Sequence, residues 1–160
     1  MPHPLLPLAL LLGLTVAAPQ DTAGFRHAVA RRGCTQEDAP ALEVYLGRTR
    51  HEGAGEPAPP YLRLEAEWGV WERAGAGGRA LELLPLARRD ADRRKPIVRA
   101  ALHEAGSTGE PAWLRGTVRL RRVRVGRGVE GSYDLVTPGD GRRLAGTFTA
   151  PWVAARGGCG

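Results

Sequence analysis

The chain has 160 residues, room for one domain, and 42% of them are hydrophobic while only 6% are aromatic. Its 22 glycines and 13 prolines argue against a helical bundle, since interior glycine costs a helix about 1 kcal/mol and proline about 3. The net charge of +6 draws a protein towards anionic partners, yet 22 of its 23 basic residues are arginine, the usage of a GC-rich genome.

Leu5 to Val16 is an apolar run broken only by Pro7, Gly13 and Thr15, and it ends at Ala17-Ala18. Small residues at that point fit a signal-peptidase pocket, and about a dozen residues fall short of the roughly 20 that cross a bilayer core. Residues 1–18 are therefore expected to be a cleaved signal peptide, even though Met1 to Pro4 lacks Lys and Arg. No second long apolar run follows, so no membrane span is expected. The predicted location is periplasmic or secreted.

Residues 19–33 are polar and aperiodic, which predicts a flexible leader. Residues 34–160 are expected to form a single domain. The two cysteines, Cys34 and Cys159, stand at its two ends, and in an exported protein such a pair is expected to form a disulfide. Closing so long a loop stabilises a fold by roughly 4 to 5 kcal/mol in the chain-entropy model.

From Cys34 onward an alternation with period two returns again and again. Leu42, Val44 and Leu46 share one face, with Glu43 and Tyr45 on the other. Gly47 to Pro60 is rich in glycine and proline and is expected to be a long exposed loop. Leu62, Leu64, Ala66 and Trp68 alternate with Arg63, Glu65 and Glu67. Ala74 to Gly78 has turn composition, so the segment from Arg79 to Ala87 is expected to return as the second strand of a hairpin. Ile97 to Leu102, set off by Pro96 and Gly106, is expected to be a short strand.

The last third carries the clearest pattern. Leu114, Gly116, Val118 and Leu120 alternate with Arg115, Thr117, Arg119 and Arg121, and the phase then slips to Val123 and Val125. One extra residue near Arg121-Arg122, a β-bulge, restores the register. Gly126 to Gly128 and Pro138 to Gly141 are turns, and Val129 to Leu135 and Leu144 to Ala150 are strands. These elements predict an all-β fold, a small antiparallel β-sandwich of about seven strands.

No motif for catalysis stands out. His51-Glu52 and His103-Glu104 each place an imidazole beside a carboxylate, but neighbours on a strand point to opposite faces and do not converge on a metal. Asp90 and Asp92 sit among Arg88, Arg89, Arg93, Arg94 and Lys95, whose charge repels a cation. Ser107 lies in a Gly106-Ser107-Thr108-Gly109 turn rather than a nucleophile elbow. The expectation is a non-catalytic protein with no metal and no cofactor.

The remaining chemistry is a row of guanidiniums. With the apolar parity facing the core, Arg115, Arg119, Arg121 and Arg124 line one solvent face, residues two apart being ~7 Å apart. Two functional expectations follow. The first is an exported structural or interaction module, and the second is a binder of anionic surfaces, polymers or glycans through this strand. Nucleic acid is the less favoured partner, because Trp113 is the one ring near the row and bases need rings to stack on.

Overall fold

The computed structural model describes residues 24–34, 40–53, 55–67, 69 and 98–154, and 80–82 by their backbone. Residues 1–18, Trp68, Asp90, Asp92 and Cys159 lie outside the described residues. The described chain is all β: β1 (His27–Cys34), β2 (Pro40–Gly47), β3 (Tyr61–Glu67), β4 (Ala80–Glu82), β5 (Val98–His103), β6 (Ala112–Trp113), β7 (Arg115–Arg124), β8 (Gly128–Val136) and β9 (Arg143–Pro151). One sheet, sheet A, has the order β1-β2-β3-β5-β6, and the other, sheet B, has the order β4-β7-β8-β9. The two face each other as a β-sandwich, and every strand-to-strand pairing within them is antiparallel.

Two seams join the sheets. At the first, β6 runs through the buried Leu114 directly into β7, and the Leu114 N–H donates to the Ala100 carbonyl at 2.9 Å. At the second, the chain leaving β9 meets β1: Val153 N–H donates to the Ala30 carbonyl at 2.8 Å, and Ala30 and Trp152 form a parallel bridge. The parallel sense follows from counting. Each step from β1 through β2, β3, β5, the β6–β7 strand and β8 to β9 reverses direction, so an even number of reversals leaves β9 running the same way as β1.

The intersheet core is built from the even-numbered positions of sheet A (Leu42, Val44, Leu46, Leu62, Leu64, Ala100 and Leu102) and the inward positions of sheet B (Val118, Leu120, Val129, Tyr133, Leu135, Leu144 and Phe148). With few rings available, glycine makes room for the two it has in sheet B. Gly131 pairs with Phe148, and Gly146 with Tyr133. A methyl group on Gly131 would strike the Phe148 ring and one on Gly146 the Tyr133 ring, so each ring lies over the bare backbone of its partner. At the first seam Gly116 has φ +131°, which side-chain-bearing residues rarely adopt, and a Cβ there would collide with the Asp134 carbonyl. Glycine, lacking a Cβ, meets both demands.

The expected bulge is present. Leu120 pairs with Gly131 and Arg122 with Glu130, which leaves Arg121 as the extra residue. Val123 is thereby returned to the core side, where it packs on the apolar cluster.

Two expectations need correction. The leader predicted over 19–33 is, from His27 onward, the strand β1, hydrogen-bonded along its length to β2. Its inward residues are alanines, Ala28 and the fully buried Ala30, too small to register as an apolar stripe beside Arg31 and Arg32. The hairpin expected between the Leu62 strand and the Leu81 strand does not form. β3 pairs with β2 and β5, whereas β4 crosses to sheet B and pairs with β7.

Candidate functional site

On sheet B the outward positions of β7 carry Arg115, Thr117, Arg119, Arg121, Arg122 and Arg124, all exposed. The bulge keeps this face basic. Without the extra residue, Arg122 and Arg124 would turn into the core and Val123 to solvent, because a one-residue slip exchanges the faces. Across the sheet the register sets up rows: Arg119 beside Ser132 beside Thr147, and Arg122 beside Glu130 beside Thr149. Two carboxylates face outward from β8, and each is already engaged. Arg122 Nη1 donates to Glu130 Oε1 at 3.2 Å. Arg143 grips Asp134 with two hydrogen bonds of 2.7 and 2.6 Å, which hold the Asp134 carboxyl below the usual carboxylate range. At the edge of the sheet, the register of β4 sets Glu82 opposite Thr117. Arg115, Arg119, Arg121 and Arg124, the four residues expected from the sequence, have no ion-pair partner among the described residues. The structure brings all four onto one exposed face.

A second polar assembly escaped the sequence pattern. It lies on the face of sheet A that points away from the core. The register aligns Arg31, Glu43, Glu65 and Arg99 in one row across four strands, so two carboxylates stand directly opposite one another. Like charges so placed repel. Arg63, one row along, resolves this, donating from Nη2 to Glu43 Oε1 at 2.5 Å and to Glu65 Oε2 at 2.8 Å. Arg31 donates to the other Glu43 oxygen from Nε at 2.7 Å, and to the Tyr45 hydroxyl at 2.5 Å. Burial opposes the charge on Arg63, but Glu43, Tyr45 and Glu65 outweigh it and keep the guanidinium protonated.

Glu43, Glu65 and Arg99 are each no more than 4% exposed. Gly33 supplies the space for Glu43, since a Cβ at that position would overlap the Glu43 side chain. Burial, and then the Glu43 charge, push the Tyr45 phenol far above its usual range, so it stays a donor to Glu43 at 3.1 Å. The loop after β2 folds over this face. Arg31 Nη1 donates to the Gly55 carbonyl at 3.1 Å, and Tyr61 donates to Glu56 at 2.7 Å.

His51 and His103 lie apart, each held by its own surroundings. His51 donates from Nε2 to the Gly55 carbonyl at 2.9 Å, a contact that shapes its own loop. His103 stacks on Tyr61 with ring centroids 4.2 Å apart, and burial lowers its pKa below 6.5. Its Nε2 and the Arg63 Nε are enclosed with no hydrogen-bond partner among the described residues. Among the described residues no group of three or more His, Cys, Asp or Glu is placed to hold a metal ion, and no helix is long and apolar enough to cross a membrane. A cavity between the sheets, lined by Leu42, Val44, Leu64, Ala66, Val98, Val118 and Leu120, has about 10 Å³ for an occupant's centre. That is room for one water-sized guest at most. Cys34 closes β1, while Cys159 is outside the described residues.

Comparison of the chain with protein-family models, with curated proteins and with solved structures found no match. The functional argument therefore rests on the two polar faces themselves. The sheet A face is neutralised from within and nearly closed to solvent. Among the described residues, the sheet B face is exposed, basic and short of counter-charge.

Proposed function

We propose that this chain is an exported, non-catalytic β-sandwich module that binds an anionic polymer or anionic surface through the arginine face of β7. One observation carries the proposal: Arg115, Arg119, Arg121 and Arg124 are exposed without an ion-pair partner among the described residues, while Asp134 and Glu130 on the same face are matched to Arg143 and Arg122. An arginine already paired gains little from a new anion. An unpaired guanidinium offers a planar set of donors that fits carboxylate, sulfate and phosphate oxygens. Several on one strand add their fields and release the counterions of a polyanion together.

Export is proposed from the apolar run Leu5 to Val16 and its small-residue end, and a Cys34–Cys159 disulfide from the pairing of the two cysteines in that compartment. The binding test is retention on immobilised heparin at physiological salt. Wild-type protein is held, and a variant with Arg119→Gln, Arg121→Gln and Arg124→Gln together elutes at low salt. Wild-type elution at low salt would refute binding and leave a purely structural module. That second reading is favoured by sheet A, whose strands β2, β3 and β5 are buried on both faces.

A further inference from the structure

The outward face of sheet B has a composition that bears on the kind of polyanion it accepts, and this inference rests on the binding function proposed above. Between and beside the arginines stand short hydroxyl side chains: Thr117 on β7, Ser132 on β8, and Thr147 and Thr149 on β9. Arg119, Ser132 and Thr147 form one continuous row across three strands. Among the described residues of β7, β8 and β9 no aromatic ring shares this face, because Tyr133 and Phe148 are turned into the core with 2% and 7% exposure.

We infer that the partner is a sulfated or carboxylated polysaccharide rather than a nucleic acid. Single-stranded nucleic acid is gripped by stacking its bases on rings, and the described residues of this face have none to offer. Duplex DNA admits a helix or a two-stranded ribbon into a major groove about 12 Å wide. Here the arginines belong to a sheet of four strands, whose outer axes are roughly 14 Å apart at ~4.8 Å per strand before side chains are added. The sheet is too broad to enter. A sugar chain requires neither rings nor a groove-sized wedge. Its hydroxyls both donate and accept, as those of Ser132, Thr147 and Thr149 do, while its sulfates or carboxylates meet the guanidiniums.

The test compares heparin with single-stranded and duplex DNA of matched charge, measuring affinity for each against salt concentration. Heparin is expected to bind tightest. The variant Ser132→Ala with Thr147→Val, confirmed to be folded by its melting curve, is expected to bind heparin about tenfold more weakly, the worth of two modest hydrogen bonds. Its salt slope is expected to match wild type, since no arginine contact is removed. Either DNA bound as tightly as heparin would overturn the assignment, and so would undiminished heparin affinity in the hydroxyl variant. Failure of wild type to bind any of the three polyanions would instead refute the underlying binding function.

Discussion

Arg63 bridges two carboxylates that the strand register places face to face, Glu43 at 2.5 Å and Glu65 at 2.8 Å, on a surface of sheet A nearly sealed from solvent. Removing one member of a buried ionic group leaves its partners uncompensated, which costs about 3 to 5 kcal/mol. Arg63→Met is therefore expected to lose about 3 kcal/mol in urea unfolding, with the slope of the transition unchanged. A loss under 0.5 kcal/mol would mean that water already reaches Glu43 and Glu65.

Gly146 lies beneath the Tyr133 ring, and an added methyl group would sit 2.8 Å from the Tyr133 hydroxyl oxygen. The ring is buried and has little freedom to retreat. Gly146→Ala is expected to destabilise by about 1 to 3 kcal/mol through overpacking, read as a lowered melting temperature. A neutral or stabilising effect would show that the ring can move.

His103 gives the fold a dependence on pH. Burial, with a smaller contribution from Arg63, favours its neutral form, and Glu56 opposes them. The unfolded chain therefore takes up a proton at higher pH than the folded one. This contribution to stability is present above pH 6.5 and is lost as the pH falls below it. Unfolding free energy measured between pH 7.5 and pH 5 is expected to decline, and His103→Phe, which keeps a ring on Tyr61, is expected to flatten the decline.

The arginine face is expected to be separable from folding. Arg119→Gln, Arg121→Gln and Arg124→Gln alter exposed residues without ion pairs among the described residues, where substitutions usually change stability by about 0.5 kcal/mol or less each. The triple variant should keep the wild-type melting transition while losing its hold on heparin. A large drop in melting temperature would show that the arginines support the sheet.

A fifth expectation concerns the cysteines. Protein recovered from the export compartment should titrate with no free thiol. Replacing Cys34 and Cys159 together by serine should cost about 2 to 5 kcal/mol. Two titratable thiols would remove the disulfide from the account.

Sheet B was legible in the sequence because one of its faces is wet. Along β8, Val129, Gly131, Tyr133 and Leu135 are buried while Glu130, Ser132 and Asp134 are less so, and that alternation is the signal period-two patterns report. The slip at Arg121 could be read for the same reason. Sheet A has the same alternation but a different meaning. Leu42-Glu43-Val44-Tyr45 looks half-exposed, yet all four are buried, because Glu43 is neutralised by Arg31 and Arg63 from neighbouring strands. Burial of a charge depends on partners that a local pattern does not include. β4 illustrates the same limit, since nothing within Ala80–Glu82 favours the distant β7 over the nearby β3.

The second seam constrains the order of assembly. Ala30 and Trp152 belong to opposite ends of the described chain, and the bridge between them is a contact of long sequence separation. Such contacts lower folding rates, because the whole intervening chain must be ordered before they form. During synthesis, β1 has no β9 beside it until Arg143–Pro151 has emerged. The nascent sandwich therefore stays unzipped along one side, and its closure is a late, chain-length-dependent event.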